Sequence, residues 1–210
     1  MGKYEDAIEC YDRALAIAPY SKVIKNNKSY SLSRLAYLER FGGHDWQKAL
    51  DLINEAIKLK SDDKDKSEYL RIKAKILESM GKRVDAHVCH LLASGMTDKV
   101  EDLNRKHKIM KETKGTLINI TGTKFYKFYA PFTENTIVDL VREPENEHDR
   151  DAIRVEIDGE TVGYVANSPF TLIDEVKSAT DIKDFISPHQ KAKVMFIFAD
   201  EYIIARLVRG

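Results

Sequence analysis

The first half of the chain shows the periodicity of amphipathic helices. In residues 3–17, apolar and aromatic side chains recur every three or four positions, so they fall on one stripe of an α-helix. Comparable stripes follow at 46–57 and, more weakly, at 81–93. Partner helices are predicted at about 21–40 and 66–80. The stripe of the first helix consists of Tyr4, Ala7, Ile8, Tyr11, Ala14 and Leu15.

These stripes resemble the second helix of a tetratricopeptide repeat (TPR). Small residues such as Ala7 and Ala14 allow neighbouring helices to approach closely. The spacing is 42 positions from Ala7 to Ala49 and 37 from Ala49 to Ala86. The TPR period is about 34 residues, so the predicted array is irregular, with insertions between its helices. The resemblance implies an array that holds a protein partner or a second copy of the chain.

The first repeat lacks its first helix, because the chain begins on the second. A solenoid that ends in mid-repeat exposes an apolar face. Three explanations are open: the array is truncated from a longer protein, a partner chain covers the face, or the terminal helix is an atypical cap. Truncation or self-association is the interpretation we favour.

A further helix is predicted to begin at Thr97 and to end near Lys111. Thr97 is a suitable N-cap residue, and Asp98 places an acidic side chain in the first turn. We interpret this helix as the cap that closes the array, and residues 112–115 as a linker.

From Thr116 the hydrophobic period changes from 3.6 to 2, which indicates strands. Two alternating runs that flank Asp158-Gly159 give a strong hairpin signal. Ser168-Pro169 is a helix-start pairing, and a second short helix is predicted at 181–186. The predicted strands are at about 117–122, 136–140, 152–157, 161–165, 194–199 and 202–208. The helix predicted to start at Ser168-Pro169 would face the barrel with four residues. They are Phe170, Leu172, Ile173 and Val176.

Together these patterns predict an α+β protein with two domains. Residues 1–96 form an α-helical, TPR-like hairpin array, and residues 97–115 form the capping helix and linker. Residues 116–210 form a small six-stranded β-barrel-like domain with two short helices.

A dense polar turn in front of the hairpin is the basis of a second family resemblance. The motifs LVREPEN at 140–146, DRDAIRV at 149–155 and VGYV at 162–165 follow in order, with Gly122 and Tyr126 upstream. This order resembles the HIRAN domain, a small all-β module, over somewhat under half of the chain. The resemblance implies a small barrel that binds ends of single-stranded DNA.

The resemblance also implies a pocket for the 3′-hydroxyl end of the strand. Lys124 would contact a phosphate, and Phe125 would stack on a base. Asp149 would accept a hydrogen bond from the terminal hydroxyl, and its charge would repel a phosphate at the same place. The implied DNA-binding residues are Lys124, Phe125, His148, Asp149, Tyr164 and Asn167.

Two positions depart from the family pattern, and three other residues have possible structural roles instead of a role in DNA binding. His148 stands where the family has a tyrosine, and Asn167 stands where it has a lysine that contacts the DNA backbone. Asp149 has the alternative role of bracing its own turn, as aspartate often does. If Phe125 and Tyr126 lie on a strand, their side chains alternate in direction and one of them belongs to the core.

Charge is divided unevenly along a chain whose net charge is zero. Residues 1–115 contain 23 basic and 18 acidic residues, a net of +5, and residues 116–210 contain 11 and 16, a net of −5. Nonspecific affinity for nucleic acid comes from basic side chains that neutralise phosphates. The second half is therefore not predicted to be a general nucleic-acid binder.

The sequence contains no recognisable catalytic or metal-binding motif. It lacks a glycine-rich phosphate loop, GxSxG and HExxH, and its six histidines show no metal-ligand spacing. We predict no enzymatic activity, no metal and no cofactor. Cys10 and Cys89 lie in apolar helical patterns and are predicted to be buried, reduced thiols of a cytoplasmic protein. No apolar run approaches the roughly 20 residues that a membrane span needs.

These observations predict a non-enzymatic adaptor that acts in DNA repair or replication. Its TPR-like array would contact a protein partner or a second copy, and its HIRAN-like barrel would bind a single-stranded DNA end. The alternative prediction is a protein–protein interaction scaffold whose acidic barrel binds no nucleic acid.

Overall fold

The structure, a computed structural model, describes residues 2–42, 45–60, 63–127, 129–188 and 190–208. The chain divides into two compact units, Met1–Glu101 and Asp102–Gly210. The first unit is helical and the second contains a closed antiparallel barrel. The predicted α+β class is confirmed.

In the part of the chain that the structure describes, six helices precede the barrel, each close to a predicted position. The TPR-like character of the array stays a prediction. The helices are α1 (Gly2–Ile17), α2 (Lys22–Gly42), α3 (Trp46–Leu59), α4 (Asp63–Ser79), α5 (Arg83–Ala93) and α6 (Thr97–Glu112).

The core of the helical unit lies among α2, α3, α4 and α5. Small side chains at Ala49, Ala56 and Ala74 are fully buried there, which allows close helix packing. Helix α1 differs from the others, because none of its residues is fully buried and its apolar stripe is half-buried. Cys10, on this helix, is exposed, so the prediction that both cysteines are buried is wrong for Cys10 and correct for Cys89.

A buried lysine connects the first three helices. The Nζ atom of Lys28 on α2 lies 2.6 Å from Asp12 on α1 and 2.6 Å from Glu55 on α3. Burial favours the neutral amine, but the hydrogen bonds to the two carboxylates outweigh it and raise the pKa of Lys28. The neighbouring Ser29 hydroxyl donates to the Ala56 carbonyl at 2.7 Å. Helix α1 is thus held by a specific ion pair as well as by its half-buried stripe.

Helix α6 contains the division between the two units, at Glu101 and Asp102. The Lys106 ammonium donates to the Ile197 carbonyl of the barrel at 3.1 Å. His107 lies 3.6 Å from the Glu175 carboxylate, and its ring packs near that of Phe198. The C-terminal part of the helix predicted to cap the array therefore packs on the barrel.

Six antiparallel strands close the barrel in the order β1-β4-β3-β2-β5-β6, and β6 returns to pair with β1. Buried side chains that alternate along the strands fill its interior, among them Ile118, Val138, Leu140, Val155 and Ile203. The strands are β1 (Leu117–Thr121), β2 (Ile137–Arg142), β3 (Ile153–Ile157), β4 (Glu160–Val165), β5 (Gln190–Phe198) and β6 (Tyr202–Leu207).

The predicted hairpin forms between β3 and β4. Asp158 has φ of 52° and Gly159 has φ of 80°, as a two-residue turn with two left-handed positions requires. Strand β4 then passes close to β1 at Gly163. A Cβ atom there would lie 2.7 Å from the Thr121 carbonyl oxygen and 2.9 Å from Cγ2 of Ile120, so only glycine fits without displacement.

The helix predicted from Ser168-Pro169 does not form, so that prediction is wrong. The Thr171 carbonyl, which a helix would use internally, accepts a hydrogen bond from Asn119 Nδ2 at 3.0 Å. Glu175 adopts φ of 72°, a conformation that breaks a right-handed helix. Phe170 is 79% exposed and does not face the barrel, whereas Ile173 and Val176 are buried.

The barrel unit instead contains two other short helical segments. Helix α7 (Ala179–Ile182) begins two residues before the predicted 181–186 segment and has a capping box formed by Ser178 and Asp181. A 3₁₀ turn occupies Thr123–Phe125. Among the helices that the described residues form, none is long and apolar enough to cross a membrane.

Candidate nucleic-acid interface

An open cleft of about 420 Å³ lies beside β4, between the polar turn that follows β2 and the segment that follows β4. Ala152 and Val165 contribute buried apolar surface. Four of the six predicted DNA-binding residues line this cleft together. They are His148, Asp149, Tyr164 and Asn167.

The polar turn is built around Asn146. Its side-chain oxygen accepts from the backbone N–H of His148 at 3.0 Å and of Asp149 at 3.1 Å. Its side-chain nitrogen donates to Glu143 at 3.0 Å. Asparagine side chains commonly bond to nearby backbone groups in this way and so stabilise turns. The turn thereby fixes the backbone from which His148 and Asp149 project.

Asp149 braces its own loop and also lines the cleft. Its Oδ1 atom accepts from the Asp151 backbone N–H at 2.9 Å, and its Oδ2 atom accepts from Asn167 Nδ2 at 2.8 Å. The bracing role left open by the sequence is therefore present. An ionised carboxylate has about four lone-pair sites, so two hydrogen bonds leave acceptor capacity for a ligand.

Asn167 holds Asp149 in relation to α7. Its side-chain oxygen accepts a hydrogen bond from the Thr180 backbone N–H at 2.9 Å. The side-chain nitrogen is therefore the atom that donates to Asp149. Thr180 donates through Oγ1 to Asp151 at 2.7 Å, and Lys183 donates to Asp151 at 2.6 Å. Asn167 thus has a positioning role in this structure, where the family resemblance implied a contact with the DNA backbone.

Replacing Asp151 by asparagine is expected to destabilise the barrel at neutral pH. Hydrogen bonds from Lys183 and then from Thr180 lower the pKa of Asp151. A lowered folded-state pKa gives stability that is present above the unfolded pKa and lost as the pH falls through the folded pKa. The difference in urea midpoint between Asp151→Asn and the unmodified protein should therefore shrink in acid.

Glu145→Gln is the matched control for this effect, because Glu145 is exposed in the same turn region. Its urea midpoint should follow that of the unmodified protein at every pH. An Asp151→Asn deficit that stays constant from neutral pH into acid would contradict the assigned ion pair.

Tyr164 and Tyr126 form the aromatic side of the cleft. Their ring centroids are 6.5 Å apart. Burial, and then the hydrogen bond with Tyr126, raise the pKa of Tyr164 to about 12. The raised pKa of Tyr164 thus reflects a partly buried hydroxyl that interacts with its protein neighbours. Arg154 pairs with Glu143 and Glu156 close by.

Lys124 and Phe125 lie in the 3₁₀ turn next to Tyr126, outside the cleft lining. Phe125 is 76% exposed, and the Lys124 ammonium lies 5.0 Å from the centre of its ring. The expectation that either Phe125 or Tyr126 belongs to the core is wrong, because the turn leaves both side chains exposed. The exposed ring of Phe125 is accessible on the protein surface for stacking.

Sequence reasoning missed several residues of the cleft. The family resemblance includes Tyr126 only as a residue upstream of the motifs, and Asn146 only as one residue of the polar turn. The turn is rich in asparagine and aspartate, which could have indicated that Asn146 bonds to the backbone of its own turn. Nothing in the sequence predicts that the segment after β4 lies across the cleft. The other lining residues missed are Thr121, Ser168 and Thr171.

The charge of the cleft is set by one carboxylate. Among the described residues that line it, Asp149 is the acid, and lysine and arginine are absent. Groups of three or more histidine, cysteine, aspartate or glutamate residues placed to hold a metal ion are also absent from the part of the chain that the structure describes. A lysine or arginine contact with a phosphate would therefore come from a neighbour such as Lys124.

A closed six-stranded barrel with a polar cleft beside its central hairpin defines a small β-barrel binding domain. Residues 115–192 match the family model of the HIRAN domain, which confirms the predicted domain in this part of the chain. Strand β6 lies beyond the matched residues and completes the barrel. No curated protein and no solved structure matches the chain. A HIRAN domain indicates nucleic-acid binding in general.

Proposed function

We propose that the barrel binds the 3′-hydroxyl end of single-stranded DNA and that the protein is a non-enzymatic adaptor in DNA repair or replication. In this proposal the helical array holds a protein partner or a second copy of the chain. The single observation that supports it most is the cleft, in which His148, Asp149, Tyr164 and Asn167 lie together.

Asp149 is the group that would recognise a free strand end. Asn167 and the Asp151 backbone hold its carboxylate in place, and its remaining lone pairs would accept from a terminal hydroxyl. A terminal phosphate would bring a second negative charge to the same position, which is unfavourable at short distance. The site would therefore favour a 3′-hydroxyl over a 3′-phosphate.

The aromatic groups would supply sequence-independent affinity. The exposed ring of Phe125 offers a face for a base, because every base can stack on an aromatic ring. Lys124 lies over that ring and would neutralise a phosphate of the stacked nucleotide. Tyr164 lines the cleft, and its side chain would contact the sugar of a bound nucleotide.

Fluorescence anisotropy with two otherwise identical oligonucleotides tests the proposal. The oligonucleotide with a free 3′-hydroxyl should bind more tightly than its 3′-phosphorylated counterpart. Asp149→Asn removes the charge and should reduce this preference. Glu147→Gln, at an exposed residue of the same turn, should preserve it. Equal affinities for the two oligonucleotides, or no binding of either, would refute the proposed end recognition.

A second candidate function is a protein–protein scaffold without nucleic-acid binding. The absence of lysine and arginine from the described cleft lining favours it, as does the net charge of −5 on residues 116–210. This candidate predicts that neither oligonucleotide binds in the anisotropy experiment at low salt.

A further inference from the structure

A row of aromatic and arginine side chains follows one side of α2 in the helical unit. We call this row the α2 ladder, and it has no part in the barrel cleft. Its members follow one another at three or four residues, and the last two, which are adjacent in sequence, each follow Tyr37 at that spacing, so the row lies on one side of the helix. They are Tyr30, Arg34, Tyr37, Arg40 and Phe41.

The ladder alternates rings and cations that already contact each other. The Arg34 guanidinium lies 6.0 Å from the ring centre of Tyr30 and 5.7 Å from that of Tyr37. The Arg40 guanidinium lies 4.9 Å from the ring centre of Phe41. The rings of Tyr37 and Phe41 meet edge to face at 5.1 Å. These contacts hold the side chains in order along the helix.

The rings at the two ends of the ladder are open to solvent. Tyr30 is 55% exposed and Phe41 is 63% exposed, although a folded chain normally buries such large apolar surfaces. Near the start of the helix, Tyr20 is 89% exposed and the Lys25 ammonium lies 6.0 Å from its ring centre. A second pair of an exposed ring and a cation therefore lies near the N-terminal end of α2, outside the ladder.

The charge of α2 is almost entirely positive. The helix contains five lysine and arginine residues and one acidic residue, Glu39. Glu39 is buried and paired with Lys48 at 2.5 Å, and Lys28 is neutralised by its own carboxylates. Within the described part of the chain, no carboxylate lies within ion-pair distance of the remaining basic residues. These residues are Lys22, Lys25, Arg34 and Arg40.

We infer that the α2 ladder binds the backbone and bases of single-stranded nucleic acid, without a requirement for a strand end. Sequence-tolerant recognition of single strands combines a basic track for phosphates with aromatic rings on which bases stack. The ladder supplies both along one line. Along the helix axis, Tyr30 and Tyr37 are about 10 Å apart and Tyr37 and Phe41 about 6 Å apart.

The partner that fits this surface is anionic, because the surface presents solvent-accessible cations and its acid is buried. A duplex would offer phosphates but keep its base faces stacked inside, so it would leave the rings unused. A single strand exposes both groups. An acidic protein surface could also pair with Arg34 and Arg40, and binding of an acidic peptide in place of single-stranded DNA would reveal that case.

A circular single-stranded DNA tests the inference, because it has no 3′ end for the barrel cleft. The full chain should bind the labelled circle in fluorescence anisotropy. Tyr30→Ala and Phe41→Ala should each weaken it about tenfold, whereas Tyr30→Phe should retain it. Arg34→Gln should lower the slope of log affinity against log salt by about 0.7.

Arg71→Gln is the matched charge control, because Arg71 is exposed on α4 and outside the ladder. It should bind the circle nearly as well as the unmodified chain. Fluorescence of Trp46, the single tryptophan, checks that each variant retains the folded helical unit.

Absence of binding to the circle overturns the inference, as does equal binding by the ladder variants. Tyr30-dependent binding of an acidic peptide without binding of the circle would also overturn it and would assign the ladder to a protein partner. The circle lacks the strand end that Asp149 is proposed to recognise. Any base of the circle that stacks on Phe125 would stack equally well in the ladder variants, so the two proposals fail independently.

Discussion

Gly163→Ala is expected to destabilise the barrel by about 3 kcal/mol, the upper range for forcing an extra carbon into a packed interior. The added Cβ atom would lie 2.7 Å from the Thr121 carbonyl oxygen. That oxygen belongs to the backbone of β1, so it cannot move aside like a flexible side chain. Strands β1 and β4 would have to separate at the position where Thr121 pairs with Tyr164.

The two units allow this effect to be measured separately. Trp46 lies in the helical unit, so tryptophan fluorescence reports on the unfolding of that unit. Tyrosine fluorescence and near-ultraviolet circular dichroism include the barrel. Urea unfolding of Gly163→Ala should lower the midpoint of the barrel transition and leave the Trp46 transition unchanged.

Gly159→Ala separates steric contact from backbone strain. Gly159 has φ of 80°, and a Cβ atom added there would have no other atom within 4 Å. Alanine at this position should therefore cost about 1 kcal/mol through its left-handed conformation alone. If Gly163→Ala cost no more than Gly159→Ala, the close approach of β4 to β1 would be incorrect.

Phe125→Ala is expected to weaken binding of a single-stranded oligonucleotide by about tenfold or more, because one stacked base contributes roughly 1–3 kcal/mol. The ring is exposed and does not support the core, so its removal should leave the unfolding midpoint unchanged. Anisotropy with a 3′-hydroxyl oligonucleotide measures the affinity, and urea unfolding measures the stability.

Phe185→Ala is the matched control for this variant. Phe185 is 61% exposed in the same unit and is not among the residues that line the cleft. Its replacement removes the same side chain at a different place, and affinity should stay the same. A similar loss in both variants would indicate a nonspecific role for exposed rings, and no loss in either would remove Phe125 from the site.

Local periodicity is sufficient to predict most of the fold. The apolar stripe that begins at Trp46 and the alternating runs around Asp158-Gly159 each have one preferred local structure, and tertiary packing agrees with it. The Ser168-Pro169 segment shows the limit of this reasoning. Its helix-start signal is local, but Asn119 on a distant strand takes the Thr171 carbonyl that the helix would need.

The candidate site is predicted less completely than the fold. The ordered motifs identify His148, Asp149, Tyr164 and Asn167, and the cleft brings these four together. Their partners depend on contacts between segments far apart in the chain. The bond from Asn167 to Asp149 and the bond from Thr180 to Asn167 join two loops and a short helix, and such a network has no sequence periodicity.

Closure of the sheet by β6 against β1 has a consequence for how copies of this protein can meet. In the closed order, each of the described strands has a hydrogen-bonded neighbour on both sides, so none of them is the edge strand of an open sheet, to which a strand of another molecule could add. Edge-to-edge sheet extension and donor-strand exchange would first require β6 to leave its neighbours. Two folded barrels that keep this strand pairing would therefore meet without forming a continuous sheet.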